Sequence, residues 1–517
     1  MSGNVCGLFF KAAARHSDTV ALAILKGDSE IVVAFGELRD RVERFAGGLA
    51  SAGFGRGSRA IVMVPMSIDL YTALLGVLSV GGTAMFVDPW IGIRRIASVA
   101  AASAPDAFIG VPKAHLMRLL HRALGTIPLT ISTASPWAGM VAHESFESLR
   151  GAVAFSDAEP DAVALITYTT GSSGAPKGVV RTHATLAAQH EAIRDEFPAF
   201  EGDVDLTTFP VFGLSNLASG ITTVIPPLNL EKVASADPRA VLRAIRRLSV
   251  STLTASPPLF DRLAERLIDS KESAPALRRI VTGGAPVSDA QLSRWVKAFP
   301  GTPIEIAYGS SEAEPVACAT AEERLATGAG QDGYLTGKPV RQIEAAIIPI
   351  STRPVEAIEP LPQGSIGELV VTGAHVCRTY DGNEESFREN KIVAGGQVWH
   401  RMGDSGWFDE AGRFWLAGRI HTTIRRKGEV LHAQIVEQRA RRILPSATRV
   451  AALGMPERLV LVIEGEVPAD AKATLVAGGV PADEVIVSRR PLPVDPRHNS
   501  KIDYAKLRMM IESGAIR

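Results

Sequence analysis

Residues 163–181 read VALITYTTGSSGAPKGVVR. An apolar run with the look of a buried strand enters TTGSSGAPKG (169–178), and the apolar stretch behind it reads as a helix. Within these ten positions lie three glycines, four hydroxyl residues and one lysine. Gly171 and Gly174 permit left-handed dihedrals and close approach of the backbone to a ligand. Successive N–H groups of such a loop can converge on phosphate oxygens, with Thr169, Thr170, Ser172 and Ser173 adding hydroxyl donors and Lys177 a positive charge. The G-x-x-x-x-G-K-[ST] loop does not fit, because Pro176 stands where its second glycine is required and Gly178 where its hydroxyl is required. A plain turn between two elements needs no such density of glycine, hydroxyl and lysine.

Helical and strand signals alternate on both sides of this loop, which favours α/β layers. GELRDRVERFAGGLASAG (36–53) carries apolar residues at helical period and ends on a glycine; RAIVMVP (59–65) reads as a buried strand, IDLYTALLGVLSVGG (68–82) as a helix and TAMFVDP (83–89) as a strand. Further alternations cover 162–256 and 278–318. A Pro/Gly-rich turn region (351–367) leads to the strand IGELVVTG, the hairpin WFDEAGRFWLAGR and then TTIRRKGEVLHAQIVEQRARRIL, read as strand, turn and helix. At 517 residues the chain exceeds the size of a single growing core, so two or more domains are expected.

The string [ST][ST]GSxGxPKG resembles the phosphate loop of the adenylate-forming superfamily, which includes acyl-CoA synthetases, nonribosomal peptide adenylation domains and luciferases. The superfamily's other motifs follow in order, so the resemblance covers essentially the whole chain. It implies an α/β fold: a large multi-layer α/β N-terminal domain (1–418), a hinge (419–421) and a small mobile α+β C-terminal domain (422–517) carrying a catalytic lysine. It also implies ATP and Mg²⁺ as cofactors.

RRIVTGGAPV (278–287) resembles the strand and turn lying against adenine, where Gly283, Gly284 and Ala285 are small enough to let a flat base approach. IEIAYGSSEAEPV (304–316) matches the YGxTE motif. By resemblance Tyr308 flanks adenine, Gly309 and Ser310 shape the strand end, Ser311 keeps a hydroxyl for phosphate where the family has Thr, and Glu312 is the Mg²⁺ ligand, as suits a hard cation. Glu314 reads either as part of the motif or as a surface charge. In WHRMGDSGWFDEAGRFWLAGR (399–419), Asp404 resembles the carboxylate that accepts from both ribose hydroxyls and Arg419 the arginine near the hinge. PVDPRHNSKIDYAKLR (493–508) matches the terminal motif, with Ser500 in place of the usual glycine and Lys501 as the catalytic lysine. A carboxylate is already anionic and resists nucleophiles. Attack of its oxygen on the α-phosphorus of ATP creates an anhydride with AMP as leaving group, and Lys177, Glu312 and Lys501 are the charged groups that would stabilise that step.

DVDLTTFPVFGLSNLASGITTVIPPLN (203–229), SSEAEPV, VWHRMGDSGWFD and PVDPRHNSKI resemble more closely the β-lactone synthetases of bacterial olefin biosynthesis. These adenylate a 3-hydroxy acid whose own hydroxyl then closes a four-membered ring, with no thiol acceptor. The resemblance places Phe209, Phe212 and Leu214, with Gly283 and Ser310, at the acyl pocket; plain core packing is the competing reading for the three apolar residues. His183, His400 and His498 lie inside motif-like strings, as bases for the 3-hydroxyl or as structural histidines. GRIHTTI replaces the common GRxxDxI hinge, leaving His421 or Thr422 at the hinge position. Transfer to coenzyme A or a carrier-protein thiol is the alternative second step, activation of an acid for nitrogen chemistry is a third use of the fold, and a catalytically dead scaffold is a reading of a different class.

Lys plus Arg and Asp plus Glu both number 55, so no electrostatic case exists for nucleic acid as partner. Cys6, Cys318 and Cys377 have no CxxC spacing, which fits a reducing cytoplasm, and no apolar run approaches a bilayer span. The implied partners are a small-molecule carboxylic acid and other enzymes of one biosynthetic pathway.

Overall fold

A computed structural model describes residues 4–87, 91–134, 144–145, 158–170, 176–328, 330–426, 428–456, 458–494 and 502–516. Within them the chain forms a large α/β body and a small C-terminal α+β unit, the architecture expected from the sequence. The body is built on two sheets. In the seven-stranded sheet the spatial order runs Glu144–Ser145, Leu129–Ser132, Ala107–Gly110, Arg59–Met63, Thr83–Val87, Val163–Thr170 and Pro176–Thr182. Its pairings are parallel except the last. Parallel pairing needs crossovers, and helices such as Ile68–Ser79 supply them. Every residue from Leu70 to Ser79 is buried, as expected of an almost wholly apolar helix, and Ser67 caps it by accepting from the Leu70 N–H.

The larger sheet includes the parallel strands Thr252–Ala255, Arg279–Gly283 and Ile304–Ser310. It then turns antiparallel through Ala313–Thr320, Tyr334–Pro339, Phe414–Arg419, Gln397–Phe408, Gly367–Thr372 and Glu344–Ile348. Helices Pro257–Ser270 and Asp289–Ala298 cover the parallel part, joined by the Phe260–Trp295 contact. The second helix opens with a Ser288–Gln291 capping box. After Arg419 the chain forms the hairpin Thr423–Arg426 and Glu429–His432, the helix Ala433–Ile443 and a three-stranded sheet. That helix seats on the body through its basic side: Arg439 and Arg442 reach Asp332, and Gln438 donates to the Gly333 carbonyl at 3.0 Å.

One expectation fails. The stretch behind the glycine-rich loop is a strand, Pro176–Thr182, and the helix starts only at His183. The reason is pairing: the stretch runs antiparallel to Val163–Thr170 in register from Val163↔Thr182 to Thr170↔Pro176, and the β-branched Val179 and Val180 are buried on its two faces. Thr182 ends the strand and caps the helix by accepting from the Thr185 N–H at 3.1 Å.

A buried ion pair and a separate buried carboxyl carry energetic consequences. Arg401 and Glu368 pair bidentately at 3.0 and 2.6 Å across adjacent strands, and Arg401 also donates to the carbonyls of Ser351, Arg353 and Glu389. With every donor directed, removing one partner leaves a buried charge uncompensated. Glu368→Ala should cost about 3–5 kcal/mol, read as a lowered urea midpoint, with Glu368→Gln losing less. In the C-terminal unit Glu437 accepts from Tyr504 Oη and from the Ala452 N–H, and burial pushes its carboxyl up to about 7. A raised folded-state value means stability present in acid that is lost as pH climbs through about 7. Glu437→Gln should therefore flatten the fall in thermal midpoint expected of the parent chain as pH rises from 4.5 to about 7.

Candidate active site

Of the described candidates, Gly283, Tyr308, Gly309 and Arg419 lie at or near strand ends of the larger sheet and Thr169 and Lys177 on the last two strands of the other, while Asp404 lies within Gln397–Phe408. Gly283 and Ala307 are opposed in parallel register, so close that a Cβ on Gly283 would sit 2.7 Å from the Ala307 carbonyl oxygen. Gly309 is held likewise against the Ala313 carbonyl at 2.7 Å. Gly284 turns outward at φ +80° and is exposed, with Ala285 half-buried behind it. The result is a shallow turn of bare backbone beside Tyr308.

Tyr308 joins two other motifs. Its hydroxyl donates to Asp404 Oδ2 at 2.6 Å, and Arg419 Nε meets Asp404 Oδ1 at 3.1 Å. Asp404 and Arg419 face each other in antiparallel register, which sets the second contact. Burial and the adjacent carboxylate drive the Tyr308 phenol far above its ordinary value, so it remains a donor. Arg419 is held above its usual range by Asp404 and keeps a half-exposed side chain. One carboxylate thus anchors a phenol and a guanidinium at the mouth of the turn.

Glu312 follows on the next loop. Its N–H lies 3.3 Å from Ser310 Oγ, and its carbonyl accepts from the Cys377 N–H at 2.8 Å. Its Oε1 accepts from Tyr380 Oη at 3.1 Å. Burial works against the charge of this carboxyl; His400, Lys391 and the Tyr380 hydroxyl work for it, and it ends below its ordinary value. Lys391 lies 5.4 Å from the Tyr380 ring centroid and donates to the Cys377 carbonyl. Arg181 ties the glycine-rich hairpin to this loop, bonding Thr167 Oγ1 at 2.8 Å and the Ser311 carbonyl at 2.5 Å. Lys177, opposite Thr169 in the hairpin, is buried and reaches Glu389 Oε2 at 3.6 Å.

Not every prediction converges here. Phe212 packs with Ile193, Phe197 and Val281, and Phe209 lies against it at 5.9 Å. Leu214 turns the other way, into the N-terminal core with Leu217 and Ala218. The reason is helical period: residues 212 and 214 lie about 200° apart on the helix Pro210–Ser219. Glu314 is no surface charge, for burial raises its carboxyl and its carbonyl accepts from Gln189 Nε2 at 3.0 Å. His183 and His400 are buried: His183 Nδ1 meets Asn4 Oδ1 at 3.1 Å, and His400 Nδ1 the Asn390 carbonyl at 3.2 Å. Lys501, His498, Gly171, Ser172, Ser173 and Gly174, with the side chain of Thr170, lie outside the described residues. Sequence reasoning missed Arg181, Tyr380 and Lys391, which carry no motif spacing and reach the site through long-range pairing.

Residues 9–381 match the model of the family described as AMP-binding enzyme. The chain is 32% identical to the olefin β-lactone synthetase of Xanthomonas campestris pv. campestris, over 92% of this chain and 90% of that protein. The fold matches the amide bond synthetase McbA from Marinactinospora thermotolerans with a TM-score of 0.81 at 21% identity, covering 98% of this chain and 99% of the other. It also matches O-succinylbenzoate coenzyme A synthetase from Bacillus subtilis in complex with ATP and magnesium ion, with a TM-score of 0.77 at 19% identity over 97% and 99% of the two chains. The chain therefore belongs to the AMP-binding enzyme family and is an adenylate-forming ligase.

Proposed function

We propose that this ligase activates a 3-hydroxy acid as its acyl-adenylate, expels pyrophosphate, and lets the substrate's own hydroxyl close a β-lactone with release of AMP. The convergence of Tyr308, Asp404 and Arg419 carries the nucleotide half of this reading. The bare backbone at Gly283, Gly284 and Ala285 is the surface for adenine, with Tyr308 at its edge. Asp404 is the acceptor for ribose hydroxyls, and Arg419 remains exposed enough to reach a ribose or phosphate oxygen. The lactone half is supported by the 32% identity to an olefin β-lactone synthetase across nearly the full chain.

The residues present fit a magnesium ion. Glu312 is a hard oxygen donor with one oxygen engaged by Tyr380, and among the described residues no cluster of three metal-ligating side chains exists. A single protein carboxylate suits a cation that takes its remaining ligands from phosphates and water. When bound, the ion supplies charge neutralisation at the triphosphate. The chain's own part is positional: the hairpin carrying Thr169, Thr170 and Lys177 faces the phosphates, Ser311 adds a hydroxyl, and Lys501 in the last motif brings a cation to the reacting carboxylate. The domain limits 1–418, 419–421 and 422–517 belong to the same proposal, with Thr422 Oγ1 bonding the Arg419 carbonyl at 2.8 Å across the hinge. We place the enzyme in the cytoplasm, in keeping with free Cys6, Cys318 and Cys377. Among the described residues no helix is long and apolar enough to cross a membrane.

The test is incubation with ATP, Mg²⁺ and racemic 3-hydroxy acids in the absence of thiol. Pyrophosphate should appear together with a product lighter than the acid by one water. Product that forms only after coenzyme A or a carrier thiol is added would move the chain to the thiol ligases. Lys501→Ala should lower adenylation about 100-fold or more. Asp404→Ala should raise KM for ATP about tenfold or more, and Glu312→Ala should raise the Mg²⁺ concentration needed for half-maximal rate.

A further inference from the structure

The two described histidines singled out by motif context, His183 and His400, are fully buried, with Nδ1 bound to Asn4 Oδ1 and to the Asn390 carbonyl. A third histidine, outside every motif, is placed differently. His190 lies on the helix His183–Glu196 and is half-buried. Its Nδ1 lies 2.9 Å from Ser215 Oγ on the facing helix Pro210–Ser219. Among the described residues the ring's one hydrogen bond is this contact through Nδ1.

The neighbours on each side fix where this pair stands. Gln189, the preceding residue, holds the Glu314 carbonyl, two residues beyond Glu312. One turn on, Ile193 packs with Phe197, Phe212 and Val281, and Ala307 joins that cluster from the strand bearing Gly309. Ser215 follows Phe212 by one helical turn. The His190–Ser215 pair therefore stands between the Glu312 loop and an apolar cluster built in part from the strands that end at Gly283 and Gly309. An acyl chain held between those strand ends and the Phe212 cluster would have its first carbons beside the pair.

We propose that His190, positioned by Ser215, is the general base for the ring-closing step, binding the 3-hydroxyl of the acyl-adenylate through Nε2. The inference rests on the lactone reading above and deepens it. With Nδ1–H donating to Ser215 Oγ, the Nε2 lone pair faces the substrate. The 3-hydroxyl O–H bond breaks with its proton passing to Nε2, the freed oxygen pair forms the bond to C1, and the C1–O bond to the phosphate breaks with its electrons leaving on AMP. The imidazolium then returns the proton to solvent. Burial first, and the Arg194 charge one turn away second, push His190 down to about 4, so the ring is neutral near pH 7. Ser215 touches His190 and acts as a positioning residue.

The experiment separates the two steps. Pyrophosphate release, lactone formation and hydroxylamine-trapped acyl-adenylate are measured for the parent chain, His190→Gln, His190→Ala, Ser215→Ala and Ser215→Thr with the same 3-hydroxy acid. Both His190 variants should lose lactone formation about 100-fold more than they lose pyrophosphate release, with trapped adenylate rising. Ser215→Ala should show the same split at about tenfold, and Ser215→Thr, which keeps the hydroxyl, should restore it. Lactone and pyrophosphate falling by one common factor in the His190 variants, or lactone unaffected, would overturn the role of His190 alone. A parent chain that makes adenylate but no lactone would overturn the lactone reading and this role with it.

Discussion

The site depends on one constraint: a single carboxylate, Asp404, must be held where two strands and a third motif meet. Antiparallel register puts Arg419 opposite it, and Tyr308 arrives from a strand 96 residues earlier in sequence. A carboxylate has about four acceptor positions. Two are taken by the phenol and the guanidinium, which leaves acceptor capacity for a ligand while the charge stays compensated. Without the register, Asp404 would be a buried anion with no partner, and burial of an unpaired charge is among the costliest things a fold can contain.

The surroundings stabilise that arrangement at a distance. Arg401, three residues before Asp404 on the same strand, is locked by Glu368 and three backbone carbonyls. The segment 376–381 performs a similar service for the other sheet. Tyr380 meets Glu312, Asp381 accepts from Tyr168 and Arg59, and the Asp381 N–H bonds the Gly178 carbonyl. Gly178 has no room for a side chain, since a Cβ there would stand 2.8 Å from the Tyr168 ring and 2.9 Å from Asp381 Cβ. The glycine-rich hairpin and the Glu312 loop, which belong to different sheets, are thereby stitched into one wall. The arginines of the helix Ala433–Ile443 extend the same logic to the C-terminal unit, anchoring it to the 330–332 segment through Asp332 and the carbonyls of Gly330 and Gln331.

Strings that owe their form to close backbone approach or fixed chemistry were readable directly: Gly283 and Gly309 where a Cβ would strike a carbonyl, and Asp404, Arg419 and Tyr308 inside recognisable motifs. The helix expected after the glycine-rich loop was misread because a short apolar run serves a buried strand or a buried helix equally well, and only the partner strand decides. Leu214 was grouped with Phe212 because sequence neighbours look alike until helical period separates their faces. Glu314 stays open between motif and surface charge in the sequence because burial of a carboxylate leaves no trace there.

By itself, then, the sequence determined the class of fold, the order of the nucleotide-binding motifs and most of the chemistry they contain, because those depend on local dihedral freedom and residue type. Only the tertiary structure decided which groups share a partner. That Tyr380 supports Glu312, that Arg181 bridges two sheets, and that His190 meets Ser215 on the facing helix all follow from strand register and helix packing between residues 14 to 130 positions apart. Such contacts form when distant segments bury apolar surface together, and the free energy of that burial is non-directional, so no local pattern of residues records it.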